Sequence, residues 1–200
     1  METELSKAER TRQFIIESTS GIFNKKGYSG TSMSDLTEAT GLTKGSIYGN
    51  FKNKEEVAVA AFEFNTGKVR KQVATLMDKA PTYYEKLMVY SIVYHNFKNK
   101  NFPEGGCPIL NTAVDADDTN PLLKEKVTQV IVKWIKRLED LIQGGINAGE
   151  FKPDVDVTRT ALSIIALVEG AIMIARVTGK PAHLDTILKT MHLLVTDLKV

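Results

Sequence analysis

The stretch SMSDLTEATGLTKGSIYGNF, residues 32–51, decides the fold. It reads as helix, glycine turn, helix. Ser32 stands three residues before Asp35, the spacing of a capping box, in which a hydroxyl and an acid each satisfy a free backbone N–H. A short helix over Met33–Thr40 follows, and Gly41 ends it. A second short helix covers Lys44 to Phe51. Leu36, Thr40, Leu42, Ile47 and Phe51 fall where they can point inward. Thr43, Lys44, Ser46, Tyr48 and Asn50 then face outward. Hydroxyls, an amide and a cation suit phosphate oxygens and base edges. Gly45 lets a phosphodiester approach a helix N-terminus, which carries partial positive charge. Lys52 and Lys54 follow as candidate phosphate contacts. In a helix-turn-helix, the second helix lies in the DNA major groove. Two short helices around a glycine also occur in all-α proteins that bind no DNA.

Outward from this stretch, nearly everything reads as helix. Ser6 and Glu9 form another capping-box pattern, and Ile15, Ile16, Thr19, Ile22 and Phe23 share a face up to Gly27. Longer helices are expected from Lys54 toward Ala80, Thr82 to Asn99, Leu122 to Ala148, Val155 to Thr178 and Ala182 to Lys199. A short one starts at Pro108. NKNFPEGGCP (99–108) and DADDTNP (115–121) are the clearest breaks. No run alternates strongly enough to be a strand. The expected class is all-α: an N-terminal three-helix helix-turn-helix domain over residues 1–54, then a larger helical domain over 55–200.

Composition narrows the class further. The 200 residues are 42% hydrophobic and 25% charged, with 26 Lys+Arg against 24 Asp+Glu, so any nucleic-acid surface must be local. The single cysteine, Cys107, rules out an intramolecular disulfide and points to the reducing cytoplasm. No apolar signal core opens the chain. ALSIIALVEGAIMIA (161–175) is shorter than the roughly 20 residues a membrane span needs, so a buried or interface helix is expected rather than a membrane partner.

FNKKGYSGTSMSDLTEATGLTKGSIYGNFKNKEEV (23–57) resembles the DNA-binding segment of TetR-family transcriptional regulators. FxxxGY, TS, DL and G-L-T-x-G-x-x-Y-x-x-F-x-x-K-E carry the likeness. GGCPILNTAVDADDTNPLLKEKV (105–127) is similar to a subgroup with such a GCP segment. The resemblance implies a homodimeric repressor bound to palindromic double-stranded operator DNA and released by a small-molecule effector. It implies operator contacts at Thr43, Lys44, Gly45, Ser46, Tyr48, Gly49, Asn50 and Lys54, with Ser34 near the preceding helix start. Gly49-Asn50 departs from the aromatic or histidine pair common in the family.

Other chemistry has little support. His95, His183 and His192 are widely spaced, and no Walker loop, GxGxxG or nucleophile elbow occurs, so no catalysis, metal or cofactor is expected. Phe62, Met88, Tyr90, Tyr94, Phe97, Trp134 and Met173 read first as core. A largely apolar effector needs a cavity with a few polar groups, for which Tyr94, Asn111, Trp134 and Glu169 are the candidates. Cys107, at an expected helix start, leaves a redox-responsive regulator as the alternative. IIALVEGAIMIA and LDTILKTMHLLVTDL carry apolar surface suited to a two-fold dimer.

Overall fold

Hydroxyl and carboxyl side chains start most of the helices in the computed structural model, which describes residues 6–97 and 102–200. The helices are α1 (Lys7–Gly30), α2 (Met33–Thr40), α3 (Lys44–Tyr48), α4 (Lys54–Met77), α5 (Tyr83–His95), α6 (Pro108–Ala116), α7 (Pro121–Asn147), α8 (Val157–Thr178) and α9 (Pro181–Asp197). Ser6 Oγ accepts from the Glu9 N–H at 3.2 Å while Glu9 Oε2 accepts from the Ser6 N–H at 2.8 Å. Ser32 with Asp35 and Thr82 with Glu85 repeat this reciprocal cap. Pro108 and Pro181 stand in the first turns of α6 and α9, where a missing N–H leaves no bond unmade. Among the described residues the one β pairing is an isolated bridge between Phe151 and Lys199. The helix end expected at Asn99 lies outside the described residues.

The chain divides into two units. The first takes the described residues up to Lys68 together with Pro103–Val127, and the second takes Val69–Phe102 and Thr128–Val200. The composition change near residue 54 is therefore not where the contacts divide. Helix α4 begins there, and its Val57, Ala58 and Ala61 pack in one core with Ile15, Phe23, Leu36, Ile47 and Phe51. Each large apolar side chain buried there contributes about 1.5–3 kcal/mol.

The GCP segment joins this first unit through amides. Asn24 Nδ2 donates to the carbonyls of Glu104 (2.8 Å) and Gly106 (3.0 Å), and Asn111 Nδ2 donates to those of Asn24 (2.8 Å) and Gly105 (2.9 Å). Gly27 breaks the helical path of α1 at φ 70°, a value that favours glycine. The N–H of Tyr28, freed by that break, donates to Asp115 Oδ2 on α6 at 2.7 Å.

In the second unit α8 and α9 pack on each other and on α5. Ile164, Val168, Ile172, Leu184, Leu188 and Met191 are buried. Ser91 Oγ and His192 Nε2 lie 2.7 Å apart, and His95 pairs with Asp185 at 3.2 Å. Helix α8 spans 22 residues and is long and apolar enough, by length and composition, to cross a membrane. That exceeds the 161–175 stretch considered from sequence. Its apolar residues are not all internal: Leu162, Met173, Ile174 and Val177 are exposed, as is Leu193 on α9. Met173, expected in the core, is 48% exposed because it lies on the face of α8 turned away from these packing partners.

Candidate nucleic-acid interface and ligand site

Helix α3 is held from below and open above. Ile47 is fully buried, with Leu36 and Phe51 beside it in the core. Thr43, Lys44, Gly45 and Ser46 are exposed in sequence, and Tyr48 and Asn50 are half-buried. Thr43 caps the helix: its Oγ1 accepts from the Ser46 N–H at 3.2 Å and lies 2.9 Å from Ser46 Oγ. Lys44 Nζ sits 5.8 Å from the Tyr48 ring centroid, one turn away on the same face. A Cβ on Gly45 would meet only Thr43 Oγ1, at 3.9 Å. Among the described residues nothing crowds that position. Ser34 is exposed near the start of α2. The helix stops at Tyr48, three residues before the expected end, and Gly49 and Asn50 form a turn. Glycine's poor helix propensity accounts for the early stop. Gly41 sits at φ 67°, the left-handed cap the turn requires.

Two cations have roles that spacing does not reveal. Arg12 on α1 reaches the far end of α3. Its Nη1 donates to the Asn50 carbonyl at 2.5 Å, its Nη2 pairs with Glu56 Oε1 at 2.9 Å, and its guanidinium lies 3.9 Å from the Phe51 ring centroid. Glu56 Oε2 in turn accepts from the Lys52 N–H at 2.7 Å. That backbone bond, followed by Arg12, holds the Glu56 carboxyl below its ordinary pKa. Lys54, a phosphate candidate from sequence, also has partners within the chain. It donates to the carbonyls of Tyr28 (2.9 Å) and Thr31 (2.8 Å) and lies 4.2 Å from the Tyr28 ring centroid. These bonds satisfy carbonyls at the end of α1. Lys52 is exposed.

The family described as "Bacterial regulatory proteins, tetR family" matches residues 15–61, and "Tetracyclin repressor-like, C-terminal domain" matches residues 84–191. The chain is a TetR-family transcriptional regulator. It is 52% identical to a TetR-family transcriptional regulator from Cytophaga hutchinsonii, with a TM-score of 0.95 over 99% of each chain. A TetR regulator from Chloroflexus aurantiacus J-10-FL is 38% identical, with a TM-score of 0.92 over 98% of each. The HTH-type transcriptional repressor DhaR of Mycobacterium sp. (strain GP1) is 26% identical over 88% of both chains. TetR-family members regulate by binding DNA and effectors, not by catalysis, so this regulator is not an enzyme.

The regulator's ligand-site candidates do not all come together. Tyr94 on α5 stacks on Trp134 of α7, with centroids 5.7 Å apart and planes 9° apart. Tyr90, one turn earlier on α5, stacks on the same indole at 5.9 Å. Glu169 Oε2 is buried on α8. Asn111 is instead in the first unit, where Asn24 and Gly105 take its amide donors. Sequence spacing showed its residue type but not its partner 87 positions away. Cys107 is 1% exposed at the start of α6, so solvent oxidants do not reach its thiol and the redox alternative is set aside. Among the described residues no cluster of His, Cys, Asp and Glu could hold a metal ion.

Proposed function

We propose that the regulator is a cytoplasmic homodimer that represses transcription from a palindromic operator and is released by a largely apolar effector. The exposed run Thr43–Ser46, raised on the buried Ile47, is the observation that carries this reading. Thr43, Lys44, Gly45, Ser46, Tyr48, Gly49 and Asn50 face the major groove, and Ser34 and Lys52 meet flanking phosphates. Lys54 keeps one of three N–H donors for a phosphate and otherwise fixes the end of α1. The two recognition helices then read half-sites about 34–36 Å apart or a multiple of that. Leu162, Met173, Ile174, Val177 and Leu193 form the dimer face, and Tyr94, Trp134 and Glu169 line the effector site.

Two more distant members of the fold illustrate the two kinds of partner. CifR (19% identical, TM-score 0.79) is known in complex with 26bp double-strand operator DNA, and FadR from Bacillus subtilis (20% identical, TM-score 0.73) with stearoyl-CoA. A gel shift over a salt series on upstream DNA tests the reading. Tyr48→Ala is expected to lose specific binding while retaining weak, salt-sensitive association. Wild-type affinity and specificity in that variant would overturn the assignment of α3.

A further inference from the structure

Two buried hydrogen-bonding groups of the second unit stand out. Tyr90 is 3% exposed and Trp134 is 8% exposed. Neither Tyr90 Oη nor Trp134 Nε1 has a hydrogen-bond partner among the described residues. A buried polar atom left unmatched costs about 1–3 kcal/mol, so each of the two calls for a partner such as a water or a ligand atom. Their placement is organised. Tyr90 and Tyr94 lie four residues apart on α5 and so share a face. Both rings stack on Trp134, with interplanar angles of 28° and 9°. A cluster of roughly parallel rings packs better against another flat ring than against a branched chain.

The chemistry of the unmatched atoms restricts the ligand further. An indole N–H only donates. The Tyr90 phenol is protonated at neutral pH, as a free phenol is, and can donate; burial pushes its pKa further up, to about 12. Arg137, one turn past Trp134 on α7, adds positive potential at Tyr90. Its hydrogen bond goes to the Met77 thioether at 3.3 Å, a weak acceptor.

We propose that Tyr90 and Trp134 form the selectivity element of the effector site and take a planar aromatic molecule bearing a carbonyl-type oxygen acceptor. This rests on the reading of the second unit as effector-binding. The ring system stacks with the tyrosines, and its oxygen accepts from the indole N–H and the phenol. An equally flat hydrocarbon leaves both donors unmatched and is rejected.

Trp134 is the chain's one tryptophan, so its indole N–H is a single reporter of this site in a 15N-labelled sample of the intact protein. The probes are 9-fluorenone and fluorene, flat tricycles of similar size that differ by the carbonyl oxygen. Fluorenone is expected to shift the indole resonance saturably, and to bind at least about tenfold more tightly than fluorene. Tyr90→Phe, which removes only the hydroxyl, should reduce that preference several-fold while leaving fluorene affinity unchanged. Equal affinity for the two probes, an indole resonance that neither moves, or a preference undiminished by Tyr90→Phe would overturn the proposal. A gel shift on the same preparation separates the outcomes. Retained operator binding with no probe preference sinks the ligand assignment alone, whereas absent operator binding sinks the repressor reading.

Discussion

Gly27 and Gly49 both stand near helix ends, and they answer to opposite constraints. Gly27 has φ 70°, and a Cβ there would fall 2.6 Å from the Asp115 carboxylate. Gly27→Ala should therefore cost more than about 1 kcal/mol in denaturant unfolding, because strain and a collision act together. Gly49 has φ −70°, and a Cβ would meet the carbonyl oxygens of Gly45 and Ser46 at 3.5 Å, an ordinary contact. Gly49→Ala should stabilise the protein by about 0.4–1 kcal/mol, mainly by restricting the unfolded chain. Its effect on DNA should be separate: a changed base preference at one operator position in a binding-site selection. Unchanged preference would show that residue 49 does not meet a base. Lys54 carries a related lesson. A lysine beside a recognition helix reads as a phosphate ligand, yet the nearest acceptors are the carbonyls that end α1.

At the scale of the element, α3 is too short to hold itself. Five residues cannot sustain a helix in water, so its ends are fixed from outside. Thr43 holds the start and Arg12 the finish. Arg12→Ala should cost about 1 kcal/mol of stability, because the pair with Glu56 is partly exposed and one carbonyl bond is lost. It should cost more in operator affinity, since the end of the reading helix is freed; an Arg12→Ala, Glu56→Ala double-mutant cycle measures the coupling. Acid should act on the same braces. Lys26, then Ser32, holds the Asp35 carboxyl well below its ordinary 3.8, and Glu56 lies below its ordinary 4.5. A lowered folded value contributes stability above the unfolded value and loses it as pH falls through the folded one. Melting of the protein should not depend on these two groups between pH 6 and 8, and their contribution should fade progressively below about 4.5.

For the whole molecule, the dimer face proposed above rests on the exposed apolar residues of α8 and α9. Val177 is 83% exposed and Leu193 71%. Two-fold symmetry would place any charge introduced there twice in one interface. Val177→Asp or Leu193→Asp should shift the protein from dimer to monomer in light scattering and weaken operator binding through loss of the paired half-site. A dimer that persists in both variants would move the interface elsewhere. The sequence by itself determined the all-α class, the caps at Ser6 and Ser32, the glycine turn and the outward face of α3. Each of these depends on residues within about one helical turn, where spacing and side-chain chemistry suffice. Only the tertiary structure decided that Arg12 braces Asn50, that Asn111 belongs to Asn24, that Asp115 meets the break at Gly27, and that Tyr90 joins Tyr94 on Trp134. Those pairs lie 38, 87, 87 and 44 positions apart along the chain. Local propensity has no reach over such separations; shared burial and unmatched donors do.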